Sequence, residues 1–333
     1  MMNREKFTNS LKVISSVQTG RAQDGSLLII DNDVLKCFNE ECICYVHLQE
    51  ETNIRITVPY KPVADILSRI DNDKISLDHN NNKLEISAGK LVVGINCDPE
   101  ALSCPEIPED LPKISLDNKF PELVDIVASV CSRNTGEFIQ TCVNFTGEYI
   151  EALNSFEHVR CYTSLQIEDS FLVRGETLKK IFRQSIKSMS LSDHWIYFFG
   201  DNFKIGCTRW LEQFPKTPWM DRTDGIKLEP ALIDKISQSA SKASALSDTE
   251  SNFDFSIIVS NNEMVTKCES VYGYYKESYE VESAGIDVKF SLNSILASKL
   301  SQFAIEEVEL FDFFMRIKCA GMVFTIPIKL NKK

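Results

Sequence analysis

The chain repeats itself. Three segments run in the same order: a short apolar strand end, an amphipathic helix, then two apolar strands. The first is Ile56-Thr57-Val58-Pro59-Tyr60 into Val63-Ala64-Asp65-Ile66-Leu67, then Lys74-Ile75-Ser76-Leu77 and Lys83-Leu84-Glu85-Ile86. The second is Phe171-Leu172-Val173-Arg174-Gly175 into Leu178-Lys179-Lys180-Ile181-Phe182, then His194 to Phe199 and Asn202 to Ile205. The third is Val288-Lys289-Phe290-Ser291 into Ile295 to Leu300, then Val308 to Phe311 and Met315 to Lys318. Matching positions lie about 115 residues apart, too long for a solenoid unit and about the size of one small domain. The pattern predicts an α+β protein of three tandem copies, at 1–115, 116–222 and 223–333.

Each copy opens with a helix of its own. Phe7, Leu11 and Ile14 recur at helical spacing between Arg4 and Val17; Leu123, Val127 and Val130 do so between Phe120 and Cys131. Leu232, Ile233, Ile236 and Ala240 follow Pro230, which suits a first helical position. Hairpins come next: Ser26–Ile30 with Val34–Phe38, Cys142–Phe145 with Tyr149–Leu153, and Phe253–Val259 with Met264–Cys268. Proline clusters at 99–112 and 215–225 read as linkers.

With 43% hydrophobic and 25% charged residues, each copy can bury an ordinary core. No apolar run reaches the roughly 18 residues of a spanning helix, and Met1 to Lys6 leads into a polar helix, not a signal-peptide stretch. A soluble, intracellular protein is expected. Eleven cysteines, an odd number, show no disulfide framework and suit reduced thiols. Cys37, Cys42, Cys44 and His47 lack the spacing for tetrahedral metal closure, so neither metal nor cofactor is expected. Asp71, Asp73 and Asp78 could suggest a metal-dependent nuclease, but their Asn-rich setting is better explained by turns. No Walker loop, Gly-x-Ser-x-Gly or His-Glu-x-x-His occurs, and the four histidines are scattered. The chain reads as a non-enzyme.

A net charge of −12 argues against nucleic-acid binding taken as a sum, but position decides. A helix from Gly175 to Lys187 would align Lys179, Arg183 and Lys187 at i, i+4 and i+8, with Lys180 alongside. Lys235 and Lys242 share a face of the third opening helix, and Lys12 lies on the first. Such a stripe gives sequence-independent, salt-sensitive attraction to phosphates; a solvated helix face is the plainer alternative. Acidic residues gather elsewhere, at Glu40-Glu41, Glu50-Glu51 and Glu306-Glu307.

Basic helices on an acidic protein suggest a positive inner surface, and the chain resembles the bacterial-type DNA polymerase sliding clamp, the β-clamp. The resemblance rests on Glu5-Lys6-Phe7, Thr57-Val58-Pro59, Ile86-Ser87-Ala88-Gly89-Lys90, Leu232-Ile233-Asp234-Lys235, Glu280-Val281 and the terminal Phe324 to Leu330, in the family's order over essentially the whole chain. Departures from the usual bacterial pattern, with the many cysteines and asparagines, suggest a divergent, phage-encoded source.

The resemblance implies a ring of two subunits head to tail around double-stranded DNA, loaded by a separate ATP-driven machine and tethering a DNA polymerase. Arg21 and Arg133 match positions that approach DNA. The subunit interface would join an edge near Val93 and Ile95 to the region of Ala245 and Leu246. Partners would dock a short peptide in a groove formed by Ile139, Phe156, Val159, Trp219, Met220, Ile326, Pro327 and Ile328. The family's Thr-Asp-Gly/Ser-His/Tyr-Arg-Leu is replaced here by Asn154-Ser155-Phe156-Glu157-His158-Val159, so Phe156 is expected to narrow the groove. The plainer alternative makes Phe156, Val159, Ile326 and Ile328 core residues. A scaffold of the same fold that binds only proteins is the competing function. A cytoplasmic, nucleoid-associated protein follows from either the bacterial or the phage source.

Overall fold

The computed structural model describes residues 1–18, 27–98, 103–133, 137–246, 254–282 and 285–330. They fall into two compact units, Met1–Gly147 with Leu165–Gln213, and Glu148–Ser164 with Phe214–Lys333.

The first unit carries four helices: α1 (Arg4–Ser16), α2 (Tyr60–Ser68), α3 (Phe120–Val130) and α4 (Gly175–Ile181). Asn3 caps α1 by accepting from Lys6 N at 3.0 Å, and Phe7, Leu11 and Ile14 are buried as the spacing required. In α3 the buried row is Phe120, Val124, Val127, Ala128 and Val130, while Leu123 is only half-buried. The expected stripe is therefore turned by one residue.

Helix α4 departs further from expectation. The segment expected to be helical to Lys187 stops at Ile181. Gln184 N turns back to Ile181 O at 2.9 Å, and Lys187 N donates to Phe199 O at 2.8 Å. The strand Ser188–Leu191 then pairs with Trp195–Phe199 and buries Met189 completely. A sheet ladder claims the backbone that the helical spacing would have extended, so Arg183 and Lys187 do not continue the Lys179 stripe.

An eight-stranded antiparallel sheet dominates this unit, in the order Arg55–Pro59, Leu27–Asp31, Val34–Phe38, Cys42–His47, Phe203–Thr208, Trp195–Phe199, Ser188–Leu191, Ile114–Ser115. The central pairing, Phe203↔Val46 through Cys207↔Cys42, joins segments of the first and second sequence repeats. The first proline-rich segment packs on one face of this sheet. Ile107 is buried among Ile43, Tyr197 and Phe199, and Tyr45 donates to Pro105 O at 2.8 Å. A four-stranded sheet of Met2–Asn3, Lys74–Asn80, Lys83–Ala88 and Leu91–Asn96 ends on an exposed strand.

The second unit carries α5 (Pro230–Ala243) and α6 (Ser294–Ser298). Six of its strands run in the order Tyr149–Leu153, His158–Tyr162, Met322–Pro327, Phe314–Cys319, Ile305–Leu310, Ile226–Leu228. Five more form Gly273–Glu280, Glu263–Ser270, Phe255–Ser260, Val288–Leu292, Lys329–Leu330. The pairing of His158–Tyr162 with Met322–Pro327 repeats, between the second and third repeats, the join made by Cys42–His47 and Phe203–Thr208.

Asparagine has a structural use here. Among the described residues the non-glycine positions at positive φ are Asn32, Asn53, Asn81, Asn82, Asn261 and Asn262. Two of these pairs close hairpins that need positive φ at both central residues. The Asp71 to Asn82 region is accordingly strand and turn, and the described residues contain no metal-competent cluster. All eleven cysteines are free and nine are buried. Burial pushes the Cys42 and Cys131 thiols up to about 12, which leaves little reactive thiolate. Among the described residues no helix is long and apolar enough to cross a membrane.

Candidate partner-binding groove and basic surfaces

One face of the second unit's run of six strands is charged yet buried. Register sets Leu153, His158, Thr325, Arg316 and Glu309 in one row across it. Glu151, Arg160, Val323, Lys318 and Glu307 form the next row on the same face. Charges this deep must be paired, and they are. Glu151 Oε2 accepts from Arg160 Nε and Nη2 at 3.0 and 2.9 Å, and lies 3.0 Å from His158 Nε2. Glu309 Oε2 accepts from Arg316 Nε and Nη2 at 3.0 and 2.5 Å.

These pairs hold the second proline-rich segment. Arg160 Nη2 donates to Thr217 Oγ1 at 2.8 Å, Arg316 Nη1 to Met220 O at 2.7 Å, and Trp219 Nε1 to His158 Nδ1 at 3.3 Å. Arg222 pairs with Asp224 and lies over the Phe311 ring at 5.0 Å.

Beside this strap opens a groove of about 210 Å³, lined by Leu153 to His158, Trp219, Phe313, Phe314 and Thr325 to Pro327. Four expected groove residues line it: Phe156, Trp219, Ile326 and Pro327. Phe156 is 46% exposed, on a turn made where Asn154 Oδ1 accepts from Phe156 N and Glu157 N. It is a rim residue and not part of the core. Val159, Met220 and Ile328 are buried beneath. Ile139 belongs to the first unit, in the tight turn Phe138–Thr141.

Sequence reasoning placed His158 in the groove segment without a role, and missed Leu153, Phe313, Phe314 and both buried ion pairs. The aromatic run Phe311-Asp312-Phe313-Phe314 at a hairpin turn was a usable signal, because Phe313 stands 78% exposed there. Another was the placing of Glu151 and Arg160 between apolar neighbours in adjacent strands.

The basic residues have spent much of their charge locally. Arg133 and Lys179 both approach Glu176, at 3.6 and 3.5 Å. Lys187 pairs with Asp201, and Lys242 with Glu277 at 2.8 Å. Lys180 Nζ donates to Gln18 O at 3.2 Å, Lys235 Nζ to Glu280 O at 2.9 Å and Lys12 Nζ to Asn9 Oδ1 at 3.0 Å. Arg183 is exposed. Arg21 lies outside the described residues. Of the expected interface residues, Ile95 is buried in its own unit and Val93 half-buried. Ala245 is exposed and Leu246 half-buried in the turn after α5. The large exposed side chains of that first-unit edge strand are Leu91 and Val92.

One of these pairs sets a pH dependence. Lys242, with Tyr275 and Tyr279, holds the Glu277 carboxyl down from its ordinary 4.5 to about 2. Lys227 and Lys318 do the same to Glu307, also to about 2. A depressed carboxyl stabilises the folded state above its unfolded pKa and loses that effect as pH falls through the folded one. The urea midpoint should therefore drop between about pH 4.5 and about pH 2, and the drop should be shallower in Glu277→Gln with Glu307→Gln.

No protein-family model matches the sequence, and no curated protein matches it. Solved structures do. The DNA polymerase III subunit beta of Pseudomonas aeruginosa superposes with a TM-score of 0.83 at 17% identity, covering 99% of each chain. The sliding clamp of Bacillus subtilis gives 0.84 at 13% identity, covering 100% of this chain and 98% of its own. The beta subunit of Thermotoga maritima gives 0.82 at 15%, covering 99% of each. This is the sliding-clamp fold. The clamp fold extends over the full chain, as the resemblance in the sequence implied, and its sequence has diverged far while the α+β architecture has not.

Proposed function

We propose that this protein is a sliding clamp, a non-enzymatic processivity factor of DNA replication. Three clamp domains, at 1–115, 116–222 and 223–333, form each subunit, and two subunits close head to tail around double-stranded DNA. The observation that carries the reading is the full-length match to solved clamps, with 99% of both chains covered. Two features add support. The exposed edge strands Leu91–Asn96 and Gly273–Glu280 offer unpaired ladders for a head-to-tail join. The aromatic-walled groove at Trp219 suits the short peptide of a polymerase or a clamp loader. A Pseudomonas aeruginosa clamp has been solved bound to griselimycin, and we take the groove as the corresponding ligand site. The protein works in the cytoplasm on the nucleoid, or in the host cytoplasm if phage-encoded.

The test is topological. Sedimentation should give a mass near twice 37.8 kDa, and protein loaded on nicked circular DNA should be retained until the circle is cut. Release that ignores cutting would overturn the ring.

A second reading is a protein-only scaffold of the same fold. The local neutralisation of Arg133, Lys179, Lys187 and Lys242 favours it.

A further inference from the structure

Hydrogen-bond chemistry fixes the protonation of His158. An indole N–H can only donate, so the His158 Nδ1 that accepts from Trp219 Nε1 at 3.3 Å carries its lone pair. The proton of the neutral ring then sits on Nε2, 3.0 Å from Glu151 Oε2. His158 is 4% exposed, Glu151 2% and Arg160 7%, so the ring and its carboxylate partner are held largely out of water.

A second proton would have to enter at Nδ1, turning the acceptor that faces Trp219 into a donor. The indole N–H would then lose its partner beside a second donor. The surrounding charges do little to compensate. Glu151, on the neighbouring strand, already serves Arg160, which shares His158's own strand. Across Thr325, Arg316 is matched by Glu309. At the adjoining turn Glu157 faces Lys299, and the strap contributes Asp221. Trp219 is a wall of the groove, and its ring meets the imidazole edge-on, centroids 6.0 Å apart.

We propose that His158 is a positioning residue for the groove: as the Nε2–H tautomer it holds the Trp219 wall, and protonation at Nδ1 frees that wall and weakens peptide binding. The proposal rests on the groove reading above and adds a regulation to it.

The test follows the full chain, labelled with 15N at tryptophan, by NMR across a pH series from neutral into acid. Trp219→Phe identifies the resonance. Griselimycin serves as the groove probe. The Trp219 indole signal should move along a one-proton curve, and griselimycin should bind about tenfold more weakly at the acid end. In His158→Asn, whose Oδ1 replaces Nδ1 as acceptor, both dependences should vanish. His158→Gln, which reaches Glu151 but offers Trp219 no acceptor, should show the acid signal at every pH. An indole signal indifferent to pH in the wild-type chain overturns the proposal with no variant needed. A titrating indole with constant griselimycin affinity overturns the role in the groove. Griselimycin that fails to bind at any pH, while the indole still titrates, overturns the groove reading and the regulatory role built on it.

Discussion

Replacing Arg316 with alanine should cost about 3–5 kcal/mol, as breaking one side of a buried ion pair does. Arg316 is 4% exposed and makes three bonds at once, two to Glu309 and one to Met220 O. Its guanidinium also lies over the Phe311 ring at 4.9 Å. Without it, Glu309 keeps, among the described residues, only Lys318, at 3.9 Å, as a salt-bridge partner. The check is the urea midpoint. Arg316→Met with Glu309→Leu should recover most of the loss, because the pair is then removed whole. Recovery should stop short of wild type by about 1–3 kcal/mol, since the Met220 carbonyl still lacks its donor. A single mutant as stable as wild type would mean that the strap is held by other contacts.

The two proline-rich segments are fastened to equivalent sheet faces with different balances of apolar packing and hydrogen bonding. In the first unit the row across the repeat join is Tyr197, Gly206, Ile43. In the second it is Arg316, Thr325, His158. The first row packs Ile107, an apolar anchor with no directional demand, with neutral hydrogen bonds from Tyr45 and Ser190 to Pro105 O and Pro112 O alongside. The second uses hydrogen bonds with fixed donors and acceptors, and the groove adjoins this second strap. A directional fastening can be altered by one proton or one substitution, whereas apolar burial yields only gradually. The groove is thus built on the more switchable of the two joins.

Much of this architecture was legible in the residues. Alternation and turn chemistry located the hairpins, and the spacing of Leu232, Ile233, Ile236 and Ala240 after Pro230 located α5. The end of α4 was not legible, because Leu178, Ile181, Phe182 and Ile186 keep helical spacing past the true stop. The deciding partner, Phe199 O, lies 12 residues beyond Lys187 in the chain, by their numbers. Buried ion pairs escaped for the same reason, since strand register is needed to see that Arg316 faces Glu309. The basic stripe was weighed only against acidic residues between Leu178 and Lys187, where there are none. The partner of Lys179, Glu176, lies three residues back and was within reach of a helical wheel; those of Lys187 and Lys242 sit 14 and 35 residues away, out of its reach.

That neutralisation yields the sharpest expectation for DNA. Glu176→Gln, Asp201→Asn and Glu277→Gln together release Arg133, Lys179, Lys187 and Lys242 from their carboxylates. Each released cation that reaches a phosphate should steepen the salt dependence of duplex affinity by about 0.9 in log–log slope. Retention on nicked circles should then outlast wild type as salt rises. Reversing Lys179, Lys180, Arg183 and Lys187 to glutamate should act oppositely, lowering affinity on the order of 10²-fold at moderate salt. Sedimentation controls for the ring itself, because Glu277 lies on Gly273–Glu280, one of the two strands proposed for the subunit join. The pair of experiments separates the two functional readings. A sliding clamp must respond with opposite signs to the two sets, since both change the charge presented to one phosphate backbone. A scaffold that touches only proteins has no such backbone to sense, so unchanged salt slopes in both sets would leave the protein-only reading standing and remove DNA from the list of partners.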